Sequence, residues 1–71
     1  MKRDLAKLLG NKVKEARKQR GLTQEGLAEL IDKTVETISN IERGVKAPSL
    51  DTIYDISKAL KVKLSNLMDI D

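Results

Sequence analysis

The apolar residues of this chain recur at steps of three and four, in short blocks, and no stretch alternates polar and apolar residues long enough for a strand. Leu5, Leu9, Val13 and Ala16 form the first block; Leu50, Ile53, Ile56, Ala59 and Leu60 form the longest of the later ones. That period lays the apolar side chains along one stripe of a helix, whereas a half-buried strand needs strict alternation. Glycine and proline cut the pattern into pieces. Gly21 stops the first block, Gly44 stops a later one, and Pro48 closes the loop Val45-Lys46-Ala47-Pro48. The expected fold class is all-α, built from five short helices.

Start and stop signals support the same division. The first helix runs to about Arg20, with basic residues in its last turn where they suit the helix dipole. Thr23 is placed to cap a second helix, with Glu25 in its first turn and Leu27, Leu30 and Ile31 on its buried side. Ala28 is small enough to let another helix come close, and Gly26 is expected at an exposed position. Asp32-Lys33 breaks the period. Thr34 then caps a third helix, with Ile38, Ile41 and Val45 facing inward. Ser49 caps the fourth, and Leu64, Leu67 and Met68 indicate a short fifth.

Composition narrows the function. The chain has no Cys, His, Trp or Phe, and Tyr54 is its only aromatic residue. Zinc fingers, haem ligand pairs, disulfide frameworks and thiol nucleophiles are thereby excluded. With ten Leu, six Ile and four Val among 71 residues, the interior must be aliphatic. A core of this size supplies roughly 3–5 kcal/mol, which favours a rigid binding surface over a catalytic pocket. No cofactor, metal or enzymatic activity is expected. Apolar runs never exceed two residues, against the roughly 18 of a membrane span. The basic start Met1-Lys2-Arg3-Asp4 is not followed by a signal-peptide stretch. The expected location is cytoplasmic.

The formal charge of +3 is unevenly placed. Residues 1–20 hold eight basic groups against Asp4 and Glu15, a local +6, and residues 21–45 hold five acidic groups against Lys33 and Arg43, a local −3. The basic first segment points to an anionic partner, although a solvated helix face is the default reading of such a run.

Two helices, from about Thr23 to Ile31 and from Thr34 onward, separated by a turn at 32–33, have helix-turn-helix spacing. The ordered residues around that hairpin are more specific. They read Leu9-Gly10, Val13 and Arg17, then Gly21-Leu22-Thr23-Gln24-Glu25 with Leu27-Ala28, then Ile38-Ser39 with Ile41-Glu42-Arg43-Gly44. Pro48-Ser49-Leu50, Ile53, Ile56, Ala59-Leu60 and Leu64 complete the series. Over residues 9–68 the chain resembles the helix-turn-helix family of phage lambda-type repressors, Cro proteins and Xre-like bacterial transcriptional regulators. The resemblance implies a compact five-helix domain spanning residues 1–71, with the motif at about 23–43. That reading uses nearly the whole chain and leaves no room in it for a separate sensing domain.

The resemblance also implies roles. Gln24 would hold a DNA phosphate, and a helix N-terminus does present free N–H groups to anions. The third helix, about 34–43, would enter the major groove. Its exposed residues are Val35, Glu36, Ser39 and Asn40, with Thr34 and Thr37 beside them. Asn40 suits adenine N6 and N7, Glu36 can accept from cytosine N4, and Val35 can pack on a thymine methyl. Thr34, Arg43 and Lys46 are the further phosphate contacts, with Lys12, Arg20 and Lys33 behind them. Arg17 and Glu42 are expected to form a structural ion pair. Leu64, Leu67, Met68 and Ile70 are a candidate dimer patch or, equally, the closing edge of the core. The partner is double-stranded DNA, read by a homodimer at a palindromic operator.

Three features depart from the family pattern, one of them Lys33, which replaces an apolar turn residue so that its packing contact is lost or made by the lysine stem. The turn reads Asp32-Lys33-Thr34 where Gly-Val-Ser is common, so Asp32 must take the left-handed conformation. No Arg or Lys precedes Arg43 in the recognition helix, so the bidentate guanine contact is missing. The acidic middle segment also fits an alternative, a protein-interaction adaptor or antitoxin-like subunit on the same fold. A third reading, residues 2–20 as a membrane-surface helix, ranks low because the core needs its apolar stripe and it lacks Trp and Phe; an enzyme is the least expected class.

Overall fold

A computed structural model describes residues 4–69. Five helices follow in order: α1 (Leu5–Gln19), α2 (Gln24–Leu30), α3 (Val35–Glu42), α4 (Leu50–Leu60) and α5 (Leu64–Leu67). No strand occurs among the described residues.

Each of the first four helices starts on a side chain that accepts a backbone N–H three residues on. Asp4 accepts from Lys7, Thr23 from Gly26, Thr34 from Thr37, and Ser49 from Thr52. Each removes one of the orphan donors at a helix start. The same four helices end alike, with a residue at positive φ and a backbone bond reaching five residues back. Leu22 N–H donates to Arg17 O, Lys33 to Ala28 O, Val45 to Asn40 O, and Val62 to Ser57 O. The left-handed residues are Gly21, Asp32, Gly44 and Lys61. Asp32 takes the role that glycine fills elsewhere, and its short polar side chain tolerates it.

Lys61 has no such excuse: at φ +57° it carries the Cβ penalty of the left-handed region. Lys61→Gly is therefore expected to stabilise the fold by about 1 kcal/mol, the relief of strain exceeding the added chain entropy. A thermal melt should show Tm rising by several degrees. Asp32→Gly should give a smaller rise.

The core is aliphatic throughout. Leu9 and Val13 of α1 meet Leu27, Ala28 and Ile31 at α2, Ile38 and Ile41 of α3, Ile53, Ile56 and Leu60 of α4, and Leu67 of α5. Tyr54 stays half exposed, with Lys58 Nζ 5.5 Å from its ring centre.

Four apolar residues expected inside lie outside. Leu30 is 61% exposed because Ala28 and Ile31 lie to one side of Leu27 on α2 and Leu30 lies to the other. Leu5 and Leu50 are the first residues of their helices, a turn short of the packed layer, and are 52% and 70% exposed. Val45 follows Gly44 outside α3 and is also exposed.

Candidate nucleic-acid interface

Behind the second and third helices lies a buried polar cluster. Arg17 of α1 sends Nε to Glu42 Oε2 at 2.6 Å and Nη2 to Glu42 Oε1 at 3.1 Å, while its Nη1 donates to Leu22 O at 2.8 Å. Both side chains are buried. Gln24, the first residue of α2, adds a bond from Nε2 to the same Glu42 Oε1 at 3.0 Å. One carboxylate at the end of α3 thus ties together the last turns of α1 and the start of α2. Because Glu42 is neutralised within the fold, the acidic charge of segment 21–45 is smaller at its surface than the sequence suggests.

The close approach of α1 to α3 depends on two glycines. A Cβ on Gly10 would lie 2.3 Å from Ile41 O and 2.7 Å from Glu42 O. A Cβ on Gly44 would lie 2.6 Å from Lys7 Cα, in a residue already at φ +75°. Backbone meets backbone at both points.

With its rear face so held, α3 turns its other side outward. Thr34, Val35 and Glu36 are exposed, and Ser39 and Asn40 are partly so. Thr34 and Thr37 share a hydroxyl hydrogen bond of 3.0 Å, and Arg43 Nη2 donates to Asn40 Oδ1 at 2.7 Å. Alongside runs an open cleft of about 450 Å³ whose lining includes Lys33, Glu36, Thr37, Asn40, Lys46 and Ser49. Residues 13–67 match the family described as helix-turn-helix. The chain belongs to that helix-turn-helix family.

Its relatives agree. The chain is 41% identical over 70 residues to the control protein C.BamHI of Bacillus amyloliquefaciens, across 97% of this chain and 86% of that one. It is 34% identical over 62 residues to the uncharacterized HTH-type transcriptional regulator YazB of Bacillus subtilis, across 87% and 90% of the two chains. The restriction-modification controller protein C.AhdI of Aeromonas hydrophila superposes with a TM-score of 0.84 at 31% identity, covering 87% of this chain and 90% of that one. The clp gene regulator ClgR of Corynebacterium glutamicum gives 0.87 at 26% identity, covering 90% and 82%.

In this helix-turn-helix frame α2 and α3 are the paired helices and Asp32-Lys33 the turn. The expected base-contact residues Val35, Glu36, Ser39 and Asn40 all lie on α3, and Gln24, Thr34, Arg43 and Lys46 surround them in sequence. Lys33 joins Lys46 along the cleft, whereas Lys12 lines a hollow between α1 and α5, and Arg20 one beside Leu30 and Lys58. The residues of the suggested dimer patch differ in exposure. Leu67 is 2% exposed and belongs to the core, Leu64 packs against it, and Met68 is 47% exposed. Ile70 lies outside the described residues. Among these residues no helix is long and apolar enough to cross a membrane.

Three features escaped sequence reasoning. The Gln24–Glu42 bond spans 18 residues and leaves no local trace. Gly10 sits mid-helix with no turn to explain it, and only its cost there hinted at a packing role. The Asn40–Arg43 bond joins positions three apart on one helix face, a spacing that could have revealed it.

Proposed function

We propose that this chain is a transcriptional regulator that binds double-stranded DNA with α3 in the major groove and represses by occupying its operator. The observation that carries this reading is the locking of α3 from behind by Arg17, Glu42 and Gln24, which leaves its outer face free. Val35, Glu36, Ser39 and Asn40 would meet base edges, and Thr34, Arg43, Lys46 and the second Nε2 hydrogen of Gln24 would meet phosphates. Residues 1–71 act as one domain. Two copies related by a two-fold axis would set their α3 helices about 34 Å apart on a palindromic site. The names borne by the relatives, regulators and controllers, support control of transcription rather than catalysis.

A salt series with random-sequence duplex tests the reading first. A phosphate reader loses affinity linearly in log–log form, by about 0.9 per neutralised phosphate. Lys46→Ala should lower that slope by roughly one for each copy bound. On a selected site, Asn40→Ala should cost about 1–3 kcal/mol of discrimination at one base pair, whereas Gln24→Ala should weaken all sequences about equally. No binding at any ionic strength would instead favour a protein-interaction module. That second reading draws on the exposed Leu30, Val45 and Leu50.

A further inference from the structure

Asn40 is fixed at both ends. Its backbone carbonyl accepts from Val45 N–H at 3.0 Å and from Lys46 N–H at 3.3 Å, in the turn around Gly44. Its side-chain Oδ1 accepts from Arg43 Nη2 at 2.7 Å. A guanidinium can only donate, so the amide atom facing it must be the oxygen. At this length the bond is of the stronger, charge-assisted kind.

The bond changes what Asn40 offers to a base. A free asparagine presents one acceptor and one donor, which match the N6 donor and N7 acceptor of adenine. Here a cation already occupies the acceptor. An adenine amino group approaching the second lone pair of Oδ1 would bring its hydrogens beside the guanidinium, positive against positive. The groups left to face outward are Asn40 Nδ2 and the remaining N–H groups of Arg43, all donors. Guanine presents two acceptors, O6 and N7, on its major-groove edge.

We infer that Asn40 and Arg43 form one reading unit, in which Arg43 is the positioning residue that makes Asn40 a donor, and that the base it selects is guanine, not adenine. The unit supplies the guanine contact that the rest of the recognition helix lacks for want of Arg or Lys. This inference rests on α3 being the recognition helix.

Selection of bound duplexes from a random pool, run in parallel with the unaltered chain, Arg43→Met and Asn40→Ala, tests it. Circular dichroism confirms that each variant is folded, as expected for substitutions outside the core. The unaltered chain should enrich guanine at one step of each half-site. Arg43→Met frees Oδ1 and should move the preference at that step to adenine, a change on the order of tenfold in relative affinity. Asn40→Ala should abolish the guanine preference rather than shift it to adenine. If the unaltered chain enriches adenine there, or if Arg43→Met lowers affinity without changing the base, the unit is overturned while DNA reading stands. If none of the three enriches any sequence, and none binds duplex in a salt-dependent way, the DNA reading falls with it.

Discussion

Gly10→Ala should be among the most damaging single substitutions in this chain, costing on the order of 3 kcal/mol. The added methyl would stand 2.3 Å from Ile41 O and 2.7 Å from Glu42 O, far inside contact distance, and both obstacles are backbone atoms that cannot rotate away. Relief requires α1 and α3 to separate, which loosens the core around Leu9, Val13, Ile38 and Ile41. Overpacking of this kind costs about 1–3 kcal/mol and sometimes more. In a domain with roughly 3–5 kcal/mol in hand, much of the folded population is lost. Alanine is the better helix former by about 1 kcal/mol, so propensity alone would forecast the opposite sign. Gly21→Ala is the control. It strains the same kind of residue at φ +77° but meets nothing within 4 Å, and should cost only about 1–2 kcal/mol. Urea titrations of both variants decide the matter. A loss at Gly10 no larger than that at Gly21 would mean that α1 and α3 absorb the added methyl and that their close approach does not depend on Gly10.

The contrast between Gly10 and Gly21 marks where sequence reasoning reaches and where it stops. Thr23, Thr34 and Ser49 were legible as helix starts because capping is a bond within four residues and depends on residue type. Gly21 and Gly44 were legible as ends for the same reason. Lys61 was not, since nothing in a lysine announces a left-handed backbone. Period three-four placed Leu27, Ile31, Ile38, Ile53 and Ile56 in the core. It could not settle Leu30 or Leu50, because a period defines a stripe and not which flank or end of it a neighbour covers. The outward face of α3 was readable from the same stripe. What holds that face in place, the Gly10 contact and the Gln24–Glu42 bond, joins residues 18 or more apart and exists only once the helices have met.

Glu42→Ala should cost as much as any side-chain loss in the protein, about 3–5 kcal/mol, because it strands a buried cation. Arg17 would keep only Leu22 O, at 2.8 Å, for a guanidinium that now uses three of its donors, and Gln24 would lose its acceptor. Replacing both partners by apolar residues of similar size, Arg17→Met with Glu42→Leu, removes the desolvated charges together. The double variant should recover most of the stability, since buried ion pairs often contribute little net free energy against a packed apolar substitute. Leu22 O and Gln24 stay within reach of water, being only partly buried. Chemical denaturation of the two singles and the double gives the coupling directly, and a value near zero would mean that the pair acts as two independent residues. DNA affinity should not recover in step. Without the carboxylate, the start of α2 and the end of α3 are no longer bonded to one another, so a stable double variant with weakened binding would show what the pair is kept for: it sets the pose of the recognition helix. Full recovery of binding along with stability would reduce the cluster to packing.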